Sequence, residues 1–176
     1  MPALIKLVLT DIDGVWTDGG MYYGDDGTEW KKFNTSDSAG VLFCQMNAIE
    51  VGILTGENTS IVSRRAEKLR IGLVSLGDRH KRQTADAWRR ARGLSWDEVA
   101  YIGDDINDLA LLQVVGFSAS VPNAPAYIRE NVRFVTQKHG GEGAFREFVE
   151  QILARDGRWA DTLRRIQTPA SDAAPS

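Results

Sequence analysis

Residues 4–10, LIKLVLT, form a short apolar run that stops abruptly at Asp11-Ile12-Asp13-Gly14. A run of this kind closed by Asp and Gly reads as a buried strand entering a sharp turn. Residues 51–54, 72–74, 99–102, 117–121 and 134–135 repeat the pattern. Between them, apolar residues recur at helical spacing: Ile61, Val62, Ala66 and Leu69, then Ala85, Trp88 and Ala91, then Leu109, Leu112 and Val115. The last series predicts a helix over residues 106–115. Strands that alternate with helices of this length require βαβ units. The expected fold is therefore α/β: a three-layer, Rossmann-like, mostly parallel sheet with helices on both faces.

One interval departs from this rhythm. Residues 20–34 place aromatic and polar residues on either side of Asp25-Asp26-Gly27, which predicts a small β-hairpin inserted after the first strand. The folded unit is expected over residues 1–155, followed by a partly disordered tail over residues 156–176. Within that tail, Trp159, Leu163 and Ile166 either cover a neighbouring surface or fray, and residues 168–176 are small and polar.

Composition excludes several classes of function. Cys44 is the lone cysteine, so neither a disulfide scaffold nor a cysteine-rich zinc site is available. The 21 Lys and Arg against 24 Asp and Glu leave no basic excess for a nucleic-acid partner. No apolar run approaches the roughly 18–20 residues that span a bilayer, and no secretory pattern opens the sequence. A soluble, cytoplasmic protein is expected.

The chemistry is expected at the carboxyl ends of the strands, where open parallel sheets bind ligands. Those ends carry Asp11 and Asp13, then Thr55-Gly56, then Gly103-Asp104-Asp105 with Asn107 and Asp108; Lys81 lies between the last two groups. Converging carboxylates repel one another unless a cation neutralises them, and Mg²⁺ favours carboxylates, waters and phosphate oxygens. Lys81 and the Thr55 hydroxyl add a point charge and a donor suited to a phosphoryl group. An aspartate can attack phosphorus, and a second carboxyl two residues away can protonate the leaving oxygen and later activate water. Alternation along an extended strand aims Asp11 and Asp13 to one side while Ile12 packs beneath.

In order and spacing, DIDGVWT at residues 11–17, Thr55, Lys81 and GDDIND at residues 103–108 resemble the four motifs of the haloacid dehalogenase-like phosphatases. The likeness runs to about Arg155. It implies Asp11 as nucleophile, Asp13 as general acid and base, and Thr55 with Lys81 holding the phosphoryl group. It further implies Mg²⁺ on the Asp11 carboxylate, the Asp13 carbonyl and Asp104, with Asp105 and Asp108 as supporting acids. The short hairpin in place of a cap domain, WKKFNTSDSAG at residues 30–40 and GGEGAFRE at residues 140–147 are similar to the capless sugar-phosphate phosphatases of that family. Their substrates include 3-deoxy-D-manno-octulosonate 8-phosphate and nine-carbon 2-keto-3-deoxy sugar acid 9-phosphates. Members of the eight-carbon type usually carry an arginine after the Thr-Gly pair, where this chain has Glu57. In the nine-carbon type the equivalents of Glu57, Arg65 and Lys68 contact the sugar acid. The resemblance therefore favours 2-keto-3-deoxynononate 9-phosphate, with N-acetylneuraminate 9-phosphate as a related substrate and the eight-carbon ester as the alternative. It also implies a homotetramer whose subunits cover one another's active sites.

Simpler readings exist for each residue. Asp11 and Asp13 suit turns, Thr55 suits a helix cap, and Arg64, Arg65, Lys68 and Arg70 suit a solvated helix face. His80 and His139 lack ligand spacing; Trp16 and Trp30 read as packing residues, and Gly140, Gly141 and Gly143 as loop formers. A receiver domain, a phospho-switch with strand-end Asp, Thr and Lys, is the non-enzymatic alternative. It resembles adjacent acids after strand one and a lone Asp after strand three, whereas this chain alternates Asp-Ile-Asp and offers Thr55 or Ser75.

Overall fold

The structure is a computed structural model that describes residues 2–168. Residues 169–176, the end of the expected tail, lie outside the described residues. Six parallel strands form the main sheet: β1 (Leu7–Thr10), β4 (Glu50–Leu54), β5 (Leu73–Ser75), β6 (Val99–Ile102), β7 (Phe117–Ser120) and β8 (Phe134–Val135). The strands β2 (Tyr22–Tyr23) and β3 (Glu29–Trp30) form a separate antiparallel hairpin directly after β1. The helices are α1 (Asp37–Met46), α2 (Ser60–Lys68), α3 (Lys81–Ala91), α4 (Leu109–Leu112), α5 (Ala126–Arg129), α6 (Ala144–Arg155) and α7 (Trp159–Gln167). The expected α/β fold is the observed one: α1 packs on α6 and α6 on α7, and α3 packs on α4.

The order of strands is β5-β4-β1-β6-β7-β8. From β1 the chain winds outward to β4 and β5, then returns to place β6 on the other side of β1. That reversal opens a crevice at the carboxyl ends of β1, β4 and β6. The register makes the ends level, because Thr10 pairs with both Ile53 and Ile102. Asp11, Thr55 and Asp104 therefore leave the sheet within a residue or two of one another.

The core explains why the strands sit still. Every residue of β1, β6 and β7 is buried, as an all-parallel sheet covered on both faces requires. On α6, Phe145, Phe148, Val149 and Ile152 are buried at helical spacing. Phe145 packs on the fully buried Trp16 at 4.7 Å, and Phe148 stacks on Phe117 at 5.8 Å. These contacts tie α6 to both the β1 loop and strand β7.

Two local expectations need correction, and one open alternative is settled. Residues 106–115 do not form one helix: Ile106–Asp108 is a 3₁₀ turn, followed by the short α4. The first turn is tightened, with the Asp108 N–H donating to the Asp105 carbonyl at 3.0 Å, and the Asp108 side chain accepts the N–H groups of Asp104 and Asp105 in a capping box. Trp30 is not a packing residue, since it is 67% exposed on the hairpin. Of the two readings open for Trp159, Leu163 and Ile166, covering a surface is the observed one: they lie on the docked helix α7. Gly157, at φ +70°, reverses the chain after α6. Trp159 then meets Phe43 edge-on at 5.4 Å, and Asn47 donates to the Thr162 hydroxyl at 2.9 Å.

The α1–α6 contact contains a buried acid. Asp37 accepts the N–H of Arg146 through Oδ1 at 3.1 Å, while its Oδ2 is buried without a partner. Burial pushes its carboxyl up to about 6, against the stabilising Arg146 N–H and the nearby Arg65 charge. A carboxyl raised in the folded state binds its proton more tightly there, so stability falls as pH rises from about 4 to about 6 and is level above. Asp37→Asn keeps an acceptor for Arg146 and removes this dependence. Urea unfolding at pH 5 and pH 7 should show a smaller loss between the two pH values for the variant than for the wild type, with a gain of roughly 1–3 kcal/mol at pH 7.

Candidate active site

The first turn after β1 builds the floor of the site. The Thr10 hydroxyl donates to the Asp11 carbonyl at 2.7 Å and accepts the Trp16 indole N–H at 3.0 Å. The N–H groups of Val15, Trp16 and Thr17 all turn back onto the Ile12 carbonyl. This tight coil aims Asp11 and Asp13 into a single cleft, which Gly14, Gly19, Thr55, Gly56, Glu57, Asp104, Asp105 and Asn107 also line. Gly14 has φ +84°, and a Cβ there would lie 1.9 Å from Asp104 Oδ2. Position 14 therefore admits no side chain while Asp104 stays in place.

Behind the cleft, Lys81 is fully buried between two acids. Its Nζ lies 2.7 Å from Asp11 Oδ2 and 2.6 Å from Asp108 Oδ1. Burial pulls the lysine pKa down, but Asp11 and Asp108 outweigh it and hold the ammonium protonated above its usual range. Asp108 is saturated: Oδ1 also accepts the Tyr101 hydroxyl at 2.5 Å, and Oδ2 accepts two backbone N–H groups. It anchors Lys81 and the turn carrying Asp104.

The acids outnumber this cation. Carboxylate oxygens of Asp11, Asp104 and Asp108 all lie within 4.8 Å of one another. Burial raises the Asp11 pKa well above the carboxylate range, with Asp108 adding to it and Lys81 only partly opposing it. Asp104 is pushed up to about 7, first by burial, then by Asp108 and Asp105. Asp104 Oδ1 is buried with no hydrogen-bond partner. With the Asp108 oxygens in use, Asp11 and Asp104 have the free lone pairs, and a hard divalent cation would relieve both the repulsion and the orphaned oxygen. The donor set fits Mg²⁺.

The structure thus gathers Asp11, Asp13, Thr55, Gly56, Glu57 and Asp104 around one cleft, with Lys81 behind it. Thr55 accepts the N–H of Glu57 at 3.3 Å, so Glu57 turns into the rim. Arg65 and Lys68 do not line the cleft. Arg65 donates to Ser38 Oγ at 2.9 Å and lies over Phe33, its centroid 5.6 Å away. Lys68 is exposed beside a separate depression lined by Ser38, Leu42 and Arg70. The Gly140–Gly143 segment lies against the β1 loop, backbone on backbone: Gly141 N–H donates to the Val15 carbonyl at 3.1 Å. A Cβ on Gly140 would stand 1.9 Å from the Gly14 carbonyl oxygen, so this segment braces the loop.

Two residues escaped the sequence reading. Tyr101 lies inside an apolar strand and gives no sign that its hydroxyl reaches Asp108. Lys31 enters the site from the hairpin, its Nζ 2.5 Å from Asp13 Oδ1 and its side chain fully buried. A signal existed in WKKF, since strand alternation puts Lys31 on the side of the partly buried Phe33 and Lys32 opposite.

A parallel sheet whose switch point carries buried paired acids, a lysine and a place for a divalent cation is the setting of a phosphoryl-transfer hydrolase. Comparison with known proteins agrees. A family model described as haloacid dehalogenase-like hydrolase matches residues 44–148. The 3-deoxy-D-manno-octulosonate 8-phosphate phosphatase of Haemophilus influenzae is 38% identical over 154 residues, 88% of this chain and 86% of that one. A crystal structure of the corresponding Moraxella catarrhalis enzyme, in complex with magnesium, phosphate and KDO, has a TM-score of 0.89 at 34% identity, covering 93% of this chain and 94% of that one. A probable YrbI-family phosphatase from Pseudomonas syringae has a TM-score of 0.90 at 37% identity, covering 94% of each. The chain belongs to the haloacid dehalogenase-like hydrolases. Within them it is a phosphoric monoester hydrolase. No helix among its described residues is long and apolar enough to cross a membrane.

Proposed function

We propose that the protein is a Mg²⁺-dependent phosphatase that removes the terminal phosphate of a 2-keto-3-deoxy sugar acid, with 3-deoxy-D-manno-octulosonate 8-phosphate as its substrate. The observation that carries the chemistry is the buried, under-neutralised acid set at the switch point, with an orphaned oxygen on Asp104. Similarity to enzymes named for the eight-carbon ester supports the substrate.

In this reading Asp11 attacks phosphorus, forming an acyl phosphate as the bond to the sugar oxygen breaks. Asp13 gives its proton to that oxygen, then takes one from the water that cleaves the acyl phosphate, which regenerates both acids. Thr55 and Lys81 hold the phosphoryl oxygens. Asp11, Asp104 and the Asp13 carbonyl would hold Mg²⁺, which neutralises charge on the transferring group.

Glu57 favours a second reading. It stands on the rim where relatives of the eight-carbon type usually have arginine, and it can accept hydrogen bonds from the hydroxyls of a nine-carbon sugar acid, the 9-phosphate of 2-keto-3-deoxynononate or N-acetylneuraminate. Measuring kcat/KM on the eight- and nine-carbon esters, with Mg²⁺ and with EDTA, separates the two. The eight-carbon ester should be preferred by about tenfold or more, about 1.4 kcal/mol in transition-state binding, and EDTA should abolish both reactions. Preference for a nine-carbon ester would overturn the first reading in favour of the second, and metal-independent turnover would overturn both.

The assembly belongs to the same proposal. Tyr22, Tyr23 and Trp30 are exposed together on the hairpin, and such apolar patches mark interaction surfaces. This supports a homotetramer in which neighbouring subunits cover the open cleft. Light scattering on the purified protein should give the tetramer mass; an active monomer would exclude the arrangement.

A further inference from the structure

We propose that Lys31 is a positioning residue that holds the Asp13 carboxyl in the orientation that delivers the proton. The inference rests on the phosphatase reading above and on Asp13 as its acid and base.

The hairpin is an exposed structure, with Tyr22, Tyr23 and Trp30 all facing outward and Lys32 no closer than 3.8 Å to Asp18. Lys31 is the exception. Its side chain is fully buried, with Met21 Sδ at 3.4 Å, Glu29 Oε1 at 3.7 Å and Asp13 Oδ1 at 2.5 Å. Burying an ammonium costs several kcal/mol unless a well-placed anion compensates, and Asp13 is the close one. The contact is therefore specific in geometry, unlike a surface ion pair.

Its consequence is a carboxyl that cannot reorient. Lys31 occupies Asp13 Oδ1, while Asp13 Oδ2 is buried without a hydrogen-bond partner and belongs to a residue lining the cleft. With Oδ1 held by Lys31 and Oδ2 covered by protein, the Asp13 carboxyl is fixed in one orientation at the cleft. The two lysines divide the work. Lys81 serves Asp11 and Asp108, and Lys31 serves Asp13. A hairpin that looks like decoration thus reaches into the proton-transfer geometry of its own subunit.

The test uses Lys31→Met and Lys31→Arg in the full-length enzyme with Mg²⁺. Two substrates are compared: the better of the sugar-acid esters, whose alkoxide must be protonated as it leaves, and p-nitrophenyl phosphate, whose phenolate leaves unprotonated. The ratio kcat/KM reports steps up to release of the alcohol. Lys31→Met should lower it about tenfold or more on the sugar ester but less than about threefold on the aryl ester, in line with the range for general-acid catalysis. Slower attack by water should also produce a burst of p-nitrophenolate. Lys31→Arg should restore most of the loss. Equal losses on both esters, or no loss on either, would overturn the inference while leaving the phosphatase reading intact. A wild-type enzyme inactive on both esters would remove both.

Discussion

Replacing Asp11 with asparagine is expected to lower phosphatase turnover by roughly 10³-fold or more, because the amide cannot form the acyl phosphate. The same change should leave the metal-free fold at least as stable as the wild type. The reason is the sign of the Asp11 shift. Burial and Asp108 hold its carboxyl pKa well above the usual value, so ionised Asp11 opposes folding. A carboxyl raised in this way contributes its stability below the unfolded pKa and loses it as pH rises. At neutral pH the amide removes that cost, and Lys81 retains Asp108 at 2.6 Å. Calorimetry in EDTA at pH 7 should give an equal or higher Tm for Asp11→Asn. Mg²⁺ should then raise the wild-type Tm more than the variant's, since the variant lacks a carboxylate to hold it. Near-normal turnover would remove Asp11 as nucleophile.

The second large effect has the opposite sign for stability. Lys81→Met should destroy activity and also destabilise the fold by roughly 3–5 kcal/mol, the cost of leaving a buried charge unpaired. For a chain of this size that corresponds to a Tm drop of about 10 °C. Asp11 and Asp108 are the acids stranded, and Asp108 lies under the site at zero exposure with its other bonds fixed by Tyr101 and the backbone. The double variant Asp11→Asn, Lys81→Met should lose less than Lys81→Met alone, since one of the two stranded acids is gone. A coupling of about 1–3 kcal/mol is expected between residues in direct contact. Additive changes would mean that Lys81 does not act through Asp11.

These contrasting expectations depend on features of unequal visibility. The acids after β1 and β6, Thr55 after β4 and Lys81 opening α3 were legible because strands announce their ends with Asp, Gly and Thr. The hairpin was legible from Asp-Gly between aromatic residues. The helix over residues 106–115 was misread because apolar periodicity does not separate a 3₁₀ turn and a short helix from one continuous helix. Trp30 was misread because hydrophobicity does not say which face of a two-strand ribbon has anything to pack against. The sequence left residues 159–166 open between covering a surface and fraying, because α7 is held by Phe43 and Asn47, residues more than a hundred positions away. Arg65 and Lys68 look alike in sequence as cations of one helix, yet one is occupied by Ser38 and the other faces solvent.

By itself the sequence determined the layered α/β architecture, the inserted hairpin and which strand ends carry chemistry. Local pattern is enough for these, since period, turn chemistry and burial act over a few residues. Only the tertiary structure decided that three carboxylates crowd one lysine, that Asp104 keeps an oxygen without a partner, that the Gly140 segment braces the Asp11 loop, and that Lys31 holds Asp13 from a hairpin eighteen residues away. Charge and hydrogen bonding act through space over a few ångströms, and only the folded chain sets which residues come that close.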